Sequence, residues 1–514
     1  MGYMRKLFLG MVVLGMCCNV AAQNSILKVD IDTDVEFQTL HNFGASDAWA
    51  AQYVGLWPDE KRNQVAEWLF STEIDEAGSP KGIGLTAWRF NIGAGSSSQG
   101  NDSGIKDPWR RTEGFFKSGV YDWKKQAGQQ WFLKAAKERG VEQFVAFVNS
   151  PPIQLTKNGK GHSDDGLSAN LAAENYGTYA NFLANVFHHF KDSVGVDFDY
   201  ISPFNEPQWE WKGGQEGFPW NNNELAGAAG VIDSVFRVEN IAAQLEITEA
   251  GAIDYLTGTK KKHNNRSNQI ETFFSPSSPD YLGNLSTLAP KVAAHSYFTT
   301  WPVEKLKRER ERIAEKLQKY PDLEYWMSEY CILENNEEIK GKGRGLGMQT
   351  ALYVARVIHA DLTIANASAW HWWLAMSPYD FKDGLIYHDK NTDDGAIYDS
   401  KLLWALGNYA RFIRPESSRI SVSYADRDAT ETLQNGVLVS AYKNKDGSVV
   451  VVAVNQKEAA VDLELNLDSE SYVQVTSYVT DDGQNLKSKV LGKPKKGIFR
   501  VGKKSITTFV FQSK

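Results

Sequence analysis

Eight short apolar or β-branched runs, each ending in polar or aromatic residues, constrain this chain more than any other feature. They are Leu40 to Asp47, Leu85 to Asn91, Gln143 to Asn149, Phe198 to Asn205, Ala243 to Glu249, Val292 to His295, Leu323 to Glu329 and Ala367 to Trp372. Their ends lie 34 to 58 residues apart, the spacing of a strand, a loop, a helix and a return loop. Helical patterns fall between several of them. Trp131 to Arg139 is closed by Gly140, and Tyr176 to Phe190 carries Tyr179, Phe182, Leu183, Val186, Phe187 and Phe190 at helical spacing. Glu304 to Tyr320 reads as a helix with a solvated charged face, and Thr350 to Ala365 as an amphipathic one. The alternation predicts an α/β chain built as a (β/α)8 barrel. A doubly wound open sheet is the alternative. The eight-fold count and the absence of a Rossmann glycine fingerprint both weigh against it.

After Arg414-Pro415 the texture changes. Six alternating or β-branched runs follow between Arg419 and Phe511, with Asp446-Gly447 and Asp482-Gly483 as hairpin turns and no helix between them. This predicts a fused all-β sandwich of about 100 residues. Ile26 to Phe37 also alternates, so both termini are expected to build that sandwich. The expected division is a signal peptide over 1–22, a sandwich strand over 23–39, the barrel over 40–412 and the sandwich over 413–514.

The signal peptide rests on Arg5 and Lys6, the apolar stretch from Leu7 to Met16, and Val20-Ala21-Ala22 before Gln23. Export is therefore expected, to the periplasm or outside the cell, with cleavage near Ala22. No later stretch of 18 apolar residues suggests a spanning helix. The net charge of −7 tells against a nucleic-acid partner, and a monomer is the starting assumption. Cys17 and Cys18 leave with the signal, so Cys331 remains alone and no intrachain disulfide can form. There is no P-loop and no His-Glu-x-x-His pattern. No metal and no cofactor are expected, and the chemistry has to come from ordinary side chains.

In such a barrel the site lies at the C-terminal ends of the strands. Run four ends Asn205-Glu206-Pro207 and run seven ends Ser328-Glu329, which turns two glutamates toward one bowl from 123 residues apart in sequence. Glycoside hydrolysis needs such a pair, one carboxyl to protonate the leaving oxygen and one carboxylate to attack carbon or activate water. The residues alone identify the pair without assigning the roles. Asn205 is placed to hydrogen-bond a sugar hydroxyl. Arg89, ending an apolar strand, needs a carboxylate partner, and a catalytic glutamate is the natural one. His295 and Tyr297 share a strand face, with Tyr297 able to hydrogen-bond Glu329. Glu249, closing run five, competes as a catalytic carboxylate or as a group that orients a neighbour. Tryptophans gather at the same strand ends: Trp49 and Trp88 by runs one and two, Trp209, Trp211 and Trp220 after run four, Trp370 and Trp372 on run eight. Flat rings of this kind stack on sugar faces. Trp372, with Trp370 beside it, is the expected floor of the central subsite. The long segments Gly93 to Phe115 and Lys157 to Gly161 are expected to wall the cleft.

Asn205-Glu206-Pro207 on run four and Glu329 on run seven resemble glycoside hydrolase family 30, a group of retaining (β/α)8 glycosidases with a fused β-sandwich. Phe43-Gly44-Ala45-Ser46, Arg89-Phe90-Asn91-Ile92-Gly93, Asn149-Ser150-Pro151-Pro152 and His295-Ser296-Tyr297 extend the resemblance, whose detail is most similar to the endo-β-1,6-galactanase-like branch. It implies a carbohydrate substrate, Glu206 as acid/base, Glu329 as nucleophile, and Asn149 among the sugar contacts. Asp47 stands where the family more often has a small or apolar residue, and is expected to reach a terminal-sugar hydroxyl. A carbohydrate-binding protein on an inactive barrel is the alternative, as is a glucanase, xylanase or fucosidase specificity. Loss of either glutamate would favour the binding protein, and both are present. An esterase or phosphatase would need a Gly-x-Ser-x-Gly elbow or a metal cluster, and the chain has neither.

Overall fold

The computed structural model describes residues 26–424, 429–467, 472–492 and 497–513. The expected signal peptide, with Cys17 and Cys18, lies outside the described residues.

Eight strands form the barrel: Asn42–Ser46, Ala87–Asn91, Gln143–Phe147, Tyr200–Ser202, Gln244–Leu245, Lys291–His295, Glu324–Glu329 and Ala367–Ser377. They are called barrel strands one to eight below. Neighbours in sequence pair in parallel, and strand eight pairs with strand one. Parallel bridges Leu245↔Leu288 and Ala250↔Ala294 close the ring between strands five and six. Parallel strands covered by helices are buried on both faces, and strand eight shows it: each of its 11 residues is buried.

Helices Ala127–Glu138, Tyr176–His189 and Met348–Thr363 lie where the apolar periodicity places them. The charged helix Val303–Leu317 buries Leu306 and Ile313, but it also buries Arg310, whose Nε lies 2.8 Å from Asp361. Its charge run is therefore not wholly a solvated face.

The sandwich is one nine-stranded sheet that rolls back on itself, and, against the helix-free expectation, a short helix, Ala429–Asn435, lies between two of its strands. Phe499 of one edge strand packs against Phe509 and Phe511, with ring centroids 5.0 and 5.7 Å apart. The N-terminal strand Ile26–Leu40 pairs antiparallel with Ser417–Tyr424 and parallel with Val461–Asn466, so both ends of the chain build this domain. Alternation divides its side chains. Val437, Val439 and Ala441 face the sandwich core, whereas Leu438 and Tyr442 join the barrel's core. The helix Lys401–Ala410 seals the junction, where Asn408 donates to the Tyr478 carbonyl. The sandwich thus supports the barrel from the side, and the strand ends stay free to carry chemistry.

Candidate active site

Glu206 and Glu329 reach the same bowl by different backbone devices. Trp326 of strand seven packs inside the barrel against Val145, Ala293 and Ala369. Strict alternation from Trp326 would turn Glu329 outward. A register shift against strand six, between Met327 and Glu329, adds a residue and turns it in. Glu206 instead adopts φ +46°, as Glu249 adopts +52°. The left-handed region is strained for a non-glycine residue. A hydrogen bond of 2.9 Å from the Glu206 amide to the Glu249 carbonyl ties the two turns together.

The side chains then form one buried charge network. Arg89 donates from Nη1 to Glu329 and from Nη2 to Glu249, both at 2.9 Å. The Tyr297 hydroxyl donates to Glu329 Oε1 at 2.9 Å. His295 sits between carboxylates, with Nδ1 3.0 Å from Glu206 and 3.5 Å from Glu329, and Nε2 3.0 Å from Glu249. Burial alone would disfavour its charge, but the surrounding carboxylates, Glu329 and Glu206 among them, push His295 up to about 10. It is therefore a cation at neutral pH. Glu206, His295 and Glu329 offer ligand atoms within 4.8 Å of one another. A protonated imidazole facing carboxylates through both nitrogens is a poor metal ligand.

Burial pushes the Glu206 carboxyl above its ordinary value; the His295 hydrogen bond and charge pull the other way, and the Glu329 charge adds to the rise. Glu249 goes the opposite way. Its burial is outweighed by the Arg89 and His295 charges, which hold it well below the carboxylate range. Glu249 is fully buried and touches no open space. It contacts Arg89 and His295, which in turn hold the two glutamates that line the cleft.

Glu206 and Glu329 open onto a cleft of about 410 Å³ whose aromatic walls are Trp209, Trp211, Tyr297, Phe298 and Trp373. Asn205 donates to Asn149 at 2.9 Å beside it. This leaves Asn205 Oδ1 and Asn149 Nδ2 buried without protein partners. Trp49 stands behind Trp373, edge to face at 5.4 Å. Gln99 of the long second loop donates to the Gly159 carbonyl, and the buried Glu216 accepts from the amides of Ala94 and Ser96. The two long loops are thereby tied to each other and to the acid loop.

Three expectations need correction. Trp370 and Trp372 do not floor the cleft: both are completely buried, and their indole N–H groups donate to Asp361 and to the Asp383 carbonyl. Ala369 and His371 point into the barrel, so their even-numbered neighbours point out toward the helices. Trp373, of the inward set, takes the place expected of Trp372. Asp47 is not at the cleft surface either. It is wholly buried and accepts the Asn91 amide hydrogen at 2.8 Å, with its carboxyl pushed up to about 8 by that burial.

Residues 26–387 match the family model of O-glycosyl hydrolase family 30. The chain belongs to glycoside hydrolase family 30. Residues 416–509 match the β-sandwich domain of the same family. The endo-β-1,6-galactanase of Hypocrea rufa is 26% identical over 286 residues, which span 52% of this chain and 58% of the galactanase. The glucuronoxylanase XynC of Bacillus subtilis is 26% identical over 388 residues, 73% of this chain and 75% of that enzyme. Among solved structures, a conserved exported protein of Bacteroides fragilis aligns at 34% identity and TM-score 0.87, covering 94% of this chain and 99% of that one. The catalytic domain of a xylanase of Talaromyces cellulolyticus shares the fold at TM-score 0.68 and 21% identity, covering 95% and 100%. This family 30 glycoside hydrolase is thus related to galactanase and xylanases.

Two parts of the site escaped the sequence reading. Phe298 and Trp373 line the cleft, although neither lies in a recognisable motif. Beneath the network, Lys291 and Glu246 form a buried ion pair at 2.5 Å, with Lys291 over the Trp326 ring. A lysine opening a wholly buried strand was the available signal, since it requires a counter-charge.

Proposed function

We propose that this chain is an exported, retaining β-glycosidase in which Glu206 is the acid/base and Glu329 the nucleophile. The observation that carries the reading is the pair itself. One carboxylate oxygen of each lies within 4.8 Å of the other at the cleft, an approach that favours the roughly 5–5.5 Å carboxyl separation of retaining pairs over the roughly 6.5–9.5 Å of inverting ones. Glu329, held by Arg89 and Tyr297, attacks the anomeric carbon while Glu206 protonates the leaving oxygen. Water then enters, gives its proton to Glu206 and releases the sugar from Glu329. Asn149 and Asn205 supply free polar atoms for sugar hydroxyls, and Trp211 and Trp373 supply stacking faces.

For substrate we infer a β-linked polysaccharide, with β-1,6-galactan first on the strength of the galactanase relative. A xylan is the second candidate, favoured by the glucuronoxylanase relative. Export rests on the leader-like segment 1–22 and on the likeness to an exported Bacteroides protein. Product analysis on a panel of β-1,6-galactan, β-1,6-glucan, β-1,3-glucan and glucuronoxylan tests the substrate. Release of β-1,6-linked galacto-oligosaccharides is the expected result, and cleavage of xylan alone would overturn the galactan assignment.

A further inference from the structure

Lys291 and Glu246 lie one layer below the catalytic network. Lys291 opens strand six four residues before His295, and Ala293 between them packs inside the barrel, so alternation turns all three inward. The Lys291 ammonium stands 2.5 Å from Glu246 Oε2 and over the rings of Trp326 and Tyr200, and both charged side chains are buried. Ser202 donates to Glu246 Oε1 at 2.6 Å. The Glu246 carboxyl also lies within hydrogen-bonding reach of Glu249. Glu249 carries both of its cations on Oε2, with Arg89 Nη2 at 2.9 Å and His295 Nε2 at 3.0 Å. Its Oε1 is buried and has no hydrogen-bond donor among the described residues. Two carboxylates in contact repel each other, and Lys291 is the cation beside them.

The charges of this column can be counted. Glu206, Glu246, Glu249 and Glu329 supply four carboxyls, and Arg89, His295 and Lys291 supply three cations. Burial pulls Lys291 down to about 8, and the Glu246 charge opposes that fall, so it is a cation at neutral pH. Asp47, pushed up to about 8 by burial, and His371, pushed well below its ordinary value by burial, are uncharged there. Glu324 of strand seven faces His41 at 2.7 Å, and Asp199 accepts the Phe144 amide hydrogen. Buried charge is least costly when it balances. Four carboxyls balance three cations when one carboxyl keeps its proton, and an acid at Glu206 needs that proton. We propose that Glu246 is a positioning residue: it holds Lys291 beneath the network, keeping the Glu249 charge for Arg89 and His295 and the one spare proton for Glu206. The proposal rests on the acid role given to Glu206 above. Without the Glu246 charge, Lys291 turns to the free oxygen of Glu249. The cluster then carries one positive charge too many, and Glu206 gives up its proton more readily.

The pH profile of kcat/KM tests this, measured on whichever polysaccharide of the panel above the full chain cleaves fastest, since a sugar leaving group needs the acid. Glu246→Gln should move the basic limb to lower pH by about one unit. Glu246→Gln combined with Lys291→Met removes both charges, and it should bring the limb back to its wild-type position. A pair that served only as scaffold would lose stability in both variants and leave the limb where it was. Should Glu246→Gln fail to fold, Glu246→Asp keeps the counter-charge but withdraws it by one carbon, and it should move the limb the same way by less. A limb that stays in place in the single variant that folds, or a shift that Lys291→Met does not reverse, overturns the positioning role. Glu206→Gln checks the reading beneath it: the basic limb should vanish, and a limb that persists overturns the acid role of Glu206 rather than the hold of Glu246 on Lys291.

Discussion

Nδ1 of His295 lies 3.0 Å from Oε1 of Glu206. This contact sets a cation against the proposed acid, and it opposes the burial that raises the Glu206 pKa. His295→Gln removes the cation, so the Glu206 pKa should rise further. An acid must be protonated to work, so the basic limb of the kcat/KM profile should move to higher pH, by about one unit. The measurement is the pH profile on a substrate with a poor leaving group. A basic limb that stays in place would separate His295 from the acid.

The same imidazole carries a stability signature. Its pKa in the fold is about 10 against an ordinary value of 6.5. Its charge therefore contributes stability in full below about pH 6.5, and that contribution fades as pH rises toward 10. The melting-temperature gap between wild type and His295→Gln should be widest near pH 6 and should narrow by pH 10. Thermal denaturation across that window checks it, and a gap that widens with pH would contradict the network.

Arg89 bridges Glu329 and Glu249 with both side chains almost wholly buried. Arg89→Met leaves two carboxylates short of their partner, a loss of about 3–5 kcal/mol. Urea denaturation should show it. Arg89→Lys keeps one charge but lacks the fork that reaches both carboxylates. It should remain folded and lose most of its turnover. Full activity in Arg89→Lys would mean that the two-armed geometry is dispensable.

The inward and outward tryptophans of strand eight should respond differently. Trp373→Ala should raise KM for a polysaccharide, and it should also cost stability, since the ring is largely buried against Trp49 and Phe147. Trp372→Ala should cost about 3–5 kcal/mol of stability, because a large fully buried ring is lost. Equal effects on KM would contradict the assigned faces.

That pair also shows where sequence reasoning ran out. The barrel was legible because eight apolar runs recur with helices between them, and Glu206 and Glu329 were legible because the fold puts strand ends at one face. Which way a residue points along a strand was not. Ala367–Ser377 is buried on both faces, so its run has no polar alternation to mark the inner one. Glu329 points inward only because of a register shift that no residue pattern announces. Asp47 looked available because a carboxylate at a strand end usually meets solvent, whereas here the Asn91 backbone amide holds it inside. The distance from Glu206 to the strand residue His295 depends on the left-handed turn at Glu206, which a tertiary hydrogen bond to the Glu249 carbonyl holds.

The central claim is that Glu206 and Glu329 work as a double-displacement pair, and the anomer first formed tests it most directly. Proton NMR during the first turnovers of a β-linked substrate should show the β product ahead of mutarotation, and Glu329→Gln should abolish turnover. An α product formed first, or full activity in Glu329→Gln, would contradict the account.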